Sequence, residues 1–268
     1  MTSHAIITGG SSGIGLAVAK QLAAQGMSLT LIARDEQRLA QALAELRRLP
    51  ARPGQQFASL SADVGVKSQI DAAIHTAIER LGPPDLLITS AGMARPGYFE
   101  DLADDVFERT MRINYFGTLY AIQAALPSMR RRKQGRVVMV SSTAGLIGVF
   151  GYTAYSPTKF ALRGLAEALR GEVSRDGVGI SVVYPPDTDT PQLEEENKTK
   201  PEETKRISAA AATWNADDVA KLIVRGIRAN KFSITPGWET TVLHRLSSLI
   251  NPLLGWHFDR VARSVDAT

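Results

Sequence analysis

The residues best suited to chemistry in this chain are Tyr155 and Lys159, in the run Tyr155-Ser156-Pro157-Thr158-Lys159. Residues four apart share one face of a helix, so the phenol and the ammonium can point into one site. A nearby cation favours phenolate and is expected to lower the tyrosine pKa from its usual value near ~10, which suits proton transfer near neutral pH. Such pairs also occur on solvated helices that do no chemistry, so the meaning of this one rests on its company. Ser142 stands thirteen residues earlier, after the apolar run 136–141. The loop between can fold back and bring both hydroxyls to the C-terminal edge of a sheet, where open α/β folds bind ligands. Without the Tyr–Lys pair, Ser142 would read as a strand-end cap. Asn114, in Arg112-Ile113-Asn114-Tyr115, interrupts an apolar helix pattern. Its plain reading is a core amide with its hydrogen bonds satisfied, and such a side chain can also perturb helical backbone bonding.

These residues need elements to hold them. Residues 4–8 read as a short buried strand, followed by Thr8-Gly9-Gly10-Ser11-Ser12-Gly13-Ile14-Gly15 and an apolar helix pattern to about Gly26. Strand, glycine turn and helix N-terminus together make an anion site. Glycines let the backbone approach a pyrophosphate, and free N–H groups and the helix dipole stabilise it. Gly9, Ser11, Ser12, Gly13, Ile14 and Gly15 are the candidate contacts. A second strand, 28–33, ends in Ala33-Arg34-Asp35. The position where an acid would bind the ribose of NAD is Ala33, and Arg34 follows it, with Ser11 and Arg38 in reach of a 2′-phosphate; this favours NADPH. The competing reading makes Arg34 a surface cation and Asp35 a helix cap.

The expected helices and strands then alternate. Helix 35–48 leads through a Pro/Gly loop to strand 56–61, which ends in Ser61-Ala62-Asp63-Val64. Asp63 with Val64 can face an adenine, or Asp63 can cap a helix at 66–81. Strand 85–89 ends in Thr89-Ser90-Ala91-Gly92, a small-residue turn that lets a cofactor lie close to the sheet at Ala91 and Gly92. A helix at 102–112 and its continuation carry Asn114, and helix 154–174 carries the Tyr–Lys pair. Strand 178–184 runs into Tyr184-Pro185-Pro186-Asp187-Thr188-Asp189-Thr190-Pro191. A polar segment follows, helix 216–229 and strand 232–235 come next, and about 187–213 is expected to form a lid.

Composition narrows the classes. The chain has 268 residues, of which 44% are hydrophobic, enough for one large α/β domain. It has no cysteine, so disulfide and thiolate chemistry are excluded, and its four histidines are too scattered for a structural metal. A net charge of +4 suits an anionic cofactor or an acidic membrane surface and is too diffuse to argue for nucleic acid. The run Arg130-Arg131-Arg132-Lys133 is expected to close a helix. No secretory signal and no apolar stretch of ~20 residues is visible, so a cytoplasmic protein is expected, docked at most peripherally on the cytosolic face of a membrane. From Trp238 to Phe258, Val242, Leu243, Leu246, Leu249, Ile250, Leu253 and Leu254 recur near helical spacing, interrupted by Pro252. This extension, about 238–268, either walls an apolar substrate tunnel or subunit seam or lies on a membrane surface.

Taken together, Thr8 to Gly15, Asn114, Ser142, Tyr155 and Lys159, in that order and spacing, resemble the short-chain dehydrogenase/reductase family over residues 4–236. The resemblance implies one Rossmann-type, doubly wound α/β domain whose seven-stranded parallel sheet runs in the order 3-2-1-4-5-6-7, flanked by helices. It assigns proton donation to Tyr155, hydrogen bonding of the substrate carbonyl to Ser142 and binding of the nicotinamide ribose to Lys159. It gives Asn114 a water in a proton relay, and Pro185, Thr188 and Thr190 the nicotinamide end of the cofactor. It also implies a homo-oligomer, a dimer or tetramer, through the helix bearing Tyr155.

Several runs are similar more narrowly to 3-ketodihydrosphingosine reductases: Gly92-Met93-Ala94, Phe150 to Ser156, Arg163 to Leu169, Tyr184 to Pro191 and Glu195 to Pro201. That likeness implies an NADPH-dependent reduction of a long-chain amino ketone lipid. Beyond the likeness, Asp187 or Asp189, just after the turn expected to meet the nicotinamide, is expected to select the substrate's ammonium or to cap the lid helix. A general NADPH-dependent carbonyl or 3-oxoacyl reductase and a non-catalytic NADPH-binding regulator are the alternatives. Ser90 stands where the family usually has Asn, and Pro186 where it usually has Gly.

Overall fold

The computed structural model describes residues 3–209 and 212–265, with the side chain of Val265 left out of account. Met1, Thr2 and the last three residues of the expected C-terminal extension lie outside the described residues, as do 210–211 of the expected lid.

Seven strands form one parallel sheet: β1 His4–Thr8, β2 Ser28–Ala33, β3 Phe57–Ser61, β4 Leu86–Thr89, β5 Gly135–Val140, β6 Val178–Val183 and, at its far edge, Ser233–Ile234. Two-residue strands β7 (Thr188–Asp189) and β8 (Trp214–Asn215) pair with each other beside it, so Ser233–Ile234 is β9 in chain order. The sheet order is β3-β2-β1-β4-β5-β6-β9, the expected order with the seventh strand renumbered.

Why these runs become strands is visible in where their side chains go. Ala5 and Ile7 enter one core cluster and Ile6 the other; Val138 and Val140 oppose Val137 and Met139 in the same way. Each strand is therefore apolar on both sides, as a sheet covered on both faces requires. Helices α1 (Gly13–Ala24), α2 (Glu36–Arg47) and α9 (Ala216–Arg228) supply one cover through Val18, Leu22, Leu39 and Ile223. Helices α3 (Lys67–Leu81), α5 (Gly117–Arg132) and α6 (Ser156–Val173) supply the other through Ile70, Ile122, Met129 and Ala166. The strand order reverses between β1 and β4, and ligands in such folds bind beyond the strand ends at that point.

Helix α4 (Asp104–Met111) passes into α5 through one π turn, Arg112–Phe116, which contains Asn114. The basic run closes α5 as expected. Lys133 takes the left-handed C-cap conformation (φ 51°), Arg130 pairs with Asp176 at 2.6 Å, and Arg132 pairs with Asp85. The expected lid contains two short helices, α7 (Pro191–Asn197) and α8 (Glu202–Ser208). Helix α10, Trp238–Val265, runs straight through Pro252 rather than breaking there. No helix among the described residues is long and apolar enough to cross a membrane.

Candidate active site

The turn after β1 is built by contact between backbones. Gly9 has φ 68°, and a Cβ there would sit 2.6 Å from the backbone nitrogen of Ala91; one on Gly15 would sit 2.3 Å from the Gly9 carbonyl oxygen. No other residue fits these two places without moving the chain. Ser12 stands at the N-cap of α1 without spending its side chain on a cap bond, and Ser11, Ser12, Gly13 and Ile14 stay partly open. Gly13 (φ 52°) lies against the Thr190 side chain, 3.1 Å from a Cβ position, so the start of the lid touches this turn. A backbone-lined cradle at a helix N-terminus is what a pyrophosphate requires, and the residues present fit one.

Beyond the cradle, Asp35 caps α2 by accepting from the Arg38 amide at 2.9 Å and also pairs with the Arg38 side chain at 3.5 Å. Arg34 is exposed, with its guanidinium 3.8 Å from Asp63. Asp63 does not cap α3, whose N-cap is Val66; it accepts from the Gly65 amide at 2.9 Å. Val64 is buried against Gly117, which leaves little of it for an adenine ring.

The catalytic candidates meet at the ends of β4 and β5. Tyr155 is the N-cap of α6, whose first residue, Ser156, lies two residues after the expected helix start, and Lys159 follows one turn on, as its spacing predicts. Both are buried. Ser142 and Gln192 hydrogen-bond the Tyr155 hydroxyl. Ser142 also accepts from the Ala144 amide at 3.2 Å, so it caps a short turn and serves the site together. The Lys159 ammonium donates to the Val140 carbonyl at 3.1 Å and lies 5.3 Å from the centre of the Tyr155 ring. Gly92 forms the floor: a Cβ there would be 3.3 Å from Asn114 Oδ1 and 3.7 Å from Lys159 Nζ.

The electrostatics differ from expectation. Tyr155 is pushed above the usual tyrosine range, first by burial and then by the negative charge of Glu196. The bonds from Ser142 and Gln192 act the other way but do not win. Lys159 does not dominate, because its ammonium sits over the ring and is turned to Val140; burial lowers its own pKa to about 8 against the pull of Glu196. The tyrosine thus keeps its proton at neutral pH, the form needed to give one away.

Asn114 is fully buried. It accepts from the Met93 amide at 2.8 Å and donates to the Met93 carbonyl and to Thr158 Oγ1, both at 2.9 Å. Thr158 in turn donates to the Tyr155 carbonyl at 2.7 Å. The amide therefore ties the β4 turn to the first turn of α6. Both amide hydrogens are committed, and the oxygen, which can accept two bonds, accepts one.

In the segment after β6, Pro185 is buried and its carbonyl accepts from Thr143. Thr188 donates to the Pro186 carbonyl at 2.8 Å, and Thr190 caps α7 by accepting from Leu193 at 3.3 Å. The lid-helix cap is thus Thr190, not Asp187 or Asp189: those two sit too far ahead of the helix to reach its free amides. Asp187 lies 3.7 Å from the buried Lys200, and Asp189 is exposed. The sequence reading passed over Tyr152, Gln192, Glu196, Lys200 and Glu203. Glu196 accepts from the Tyr152 hydroxyl at 2.7 Å and from Gln192 at 2.8 Å, and Glu203 accepts from Tyr98 at 3.0 Å. The signal available was a polar run, 195–201, that the family in general does not need. Among the described residues, no group of three or more His, Asp or Glu is placed to hold a metal ion.

Residues 3–201 match the short chain dehydrogenase family. The chain belongs to that family. Within it, the chain is 45% identical over 252 residues to the 3-ketodihydrosphingosine reductase of Bos taurus and 43% identical over 252 residues to the 3-dehydrosphinganine reductase of Danio rerio. Each match covers 94% of this chain and 76% of the relative. Among solved structures, a short chain dehydrogenase/reductase from Burkholderia phymatum in complex with NAD superposes with a TM-score of 0.82 at 25% identity. That match covers 94% of this chain and 95% of the other. The sheet order is thus that of a short chain dehydrogenase fold.

Proposed function

We propose that this protein reduces 3-dehydrosphinganine to sphinganine with NADPH. The observation that carries the reading is the meeting of a buried, protonated Tyr155 with Ser142 and Lys159 beside a backbone-lined nucleotide cradle. The chain around that site is 43–45% identical to enzymes named for this reaction. A nicotinamide cofactor is supported by family membership and by the NAD-bound relative; the choice of NADPH rests on Arg34 and Arg38, with no acid at Ala33.

Gly9, Gly13 and Gly15 would hold the pyrophosphate, Gly92 would floor the nicotinamide and Lys159 would bind its ribose. Bound there, the cofactor supplies a hydride to the C3 ketone. Tyr155 gives its hydroxyl proton to the developing alkoxide, and Ser142 donates to the same oxygen and stabilises its charge. Asn114 holds the β4 turn and α6 in register, so that floor and donor stay together. The resulting phenolate is reprotonated from solvent.

The decisive experiment follows NADPH oxidation by purified protein with 3-ketosphinganine in detergent micelles, with NADH in parallel. Turnover should fall by roughly 10²–10⁴-fold in Tyr155→Phe. Turnover of simpler ketones only would discard the sphingoid substrate and keep the chemistry.

We also infer a peripheral membrane contact through α10. Val242, Leu246, Leu249, Leu253 and Trp256 recur every three to four residues, and the last three are 75%, 69% and 62% exposed. Basic Arg245, Arg260 and Arg263 accompany that stripe. A helix of this kind suits an anionic lipid surface. Co-sedimentation with anionic vesicles should be lost in Leu249→Ser/Leu253→Ser/Trp256→Ser; retention would place the contact elsewhere.

A further inference from the structure

We propose that Glu196, on the lid helix α7, is the group that recognises the ammonium of the substrate and selects amino ketones over other ketones. This rests on the sphingoid reading above and adds a residue to it.

Glu196 is 8% exposed, unusual for a glutamate, which is seldom buried without a partner of opposite charge. Its two oxygens accept one bond each, from Tyr152 at 2.7 Å and from Gln192 at 2.8 Å. Both partners are neutral side chains. A carboxylate has about four acceptor positions, which leaves room for more donors. Among the described residues it forms no salt bridge, and the nearby buried lysine, Lys200, is turned to Asp187 at 3.7 Å. Lys159 feels the Glu196 charge, but donates to the Val140 carbonyl. A buried carboxylate with only neutral donors is costly unless a cation joins it.

The place of that charge matches the substrate. Gln192 bonds the Tyr155 hydroxyl on one side and Glu196 on the other, and the Tyr152 and Tyr155 rings lie 5.6 Å apart. Glu196 is therefore one amide group away from the hydroxyl that would protonate the ketone oxygen. In 3-ketosphinganine the amine sits on the carbon next to that carbonyl. With the ketone oxygen at Tyr155, the ammonium stands one carbon from the carbonyl, and Glu196 is the buried acidic group behind Gln192 available to meet it. Asp187 and Asp189 are poorer choices: the first is already paired with Lys200 and the second is exposed.

The test compares kcat/KM for 3-ketosphinganine with that for the des-amino analogue, 1-hydroxyoctadecan-3-one, in wild type, Glu196→Gln and Asp187→Asn. Glu196→Gln should lower the ratio of the two by roughly 10- to 100-fold, mostly through KM, as expected for a lost charged hydrogen bond. Asp187→Asn should leave the ratio unchanged. Wild type should discriminate by a similar factor against N-acetylated 3-ketosphinganine, a measurement that needs no variant to fold. Equal losses of Glu196→Gln on both ketones, or no discrimination by wild type against the acetylated substrate, would overturn the assignment while leaving the reductase reading intact. Failure of wild type to reduce 3-ketosphinganine, with turnover of the des-amino ketone, would overturn both.

Discussion

The two walls of the site are made of different materials. On the β1 side the wall is built on backbone: Gly9 and Gly15 bring main chain against main chain, with only the short Ser11 and Ser12 and the Ile14 side chain partly open beside them. On the lid side it is side chain, and unusually polar: Gln192, Glu196, Lys200 and Glu203 are largely or partly buried and bonded to Tyr155, Tyr152, Asp187 and Tyr98. A backbone wall recognises what every dinucleotide shares, a pyrophosphate. A wall of buried charges is expensive to build and recognises one arrangement of charge. On the proposed reading, the backbone wall serves the general part of the reaction and the lid wall chooses the substrate.

The backbone side should fail most severely when altered. Gly9→Ala adds a Cβ 2.6 Å from the Ala91 backbone at a position with φ 68°. Neither neighbour is a flexible side chain, so the β1 and β4 turns must part. The strain of a left-handed residue and the overpacking together are expected to cost about 2–5 kcal/mol, read as a lower denaturant midpoint. Nicotinamide-cofactor affinity should fall in step if, as proposed, the same turn holds the phosphates.

The lid should fail separately and by less. Lys200→Met keeps the buried stem and removes the ammonium from Asp187. Breaking a fully buried pair costs more, but Asp187 is 38% exposed and can recover water, so about 2 kcal/mol is expected. The loss should appear as faster hydrogen exchange across 187–208 and a higher KM for the ketone, with cofactor affinity unchanged. A parallel loss of cofactor affinity would mean that the walls are one unit.

The two walls were also unequally legible in the sequence. The backbone wall could be read from Thr8 to Gly15, because a glycine turn between a buried strand and a helix has few other uses. Strands such as His4–Thr8 and Ser28–Ala33 match the expected spans to the residue, since both their faces are buried and apolar residues dominate each run. Spacing suggested that Tyr155, Lys159 and Ser142 would meet, and the structure brings them together. Asn114 was flagged as out of place, but the π turn around it was hidden: one widened turn barely shifts the apolar period.

The lid wall could not be read, because Glu196 and Glu203 look like surface residues until their partners arrive. Those partners, Tyr152 and Tyr98, lie 44 and 105 positions away in the chain. Burial of a charge is decided by tertiary neighbours, and composition points the other way. Proline in α10 misled for a related reason. Pro252 costs an amide bond, but it lies on an exposed stretch of helix where water can take up the freed carbonyl.

The smallest expected effect concerns the outer rim of the backbone wall, where specificity passes back to side chains. Arg34 is exposed and 3.8 Å from Asp63, which is itself held by the Gly65 amide. A 2′-phosphate at the end of β2 would compete with Asp63 for this guanidinium and offers the better geometry for a bidentate pair. Arg34→Ser removes that partner and leaves the cradle glycines untouched. The preference for NADPH over NADH should fall about tenfold, ~1.4 kcal/mol, the scale of one charged pair at a solvent-exposed rim. The loss should sit in the NADPH Kd, measured by fluorescence titration, while the NADH Kd and kcat hold steady. If both cofactors weaken together, Arg34 supports the fold of the rim through Asp63. In that case the choice between NADP and NAD belongs to Arg38 or Ser11.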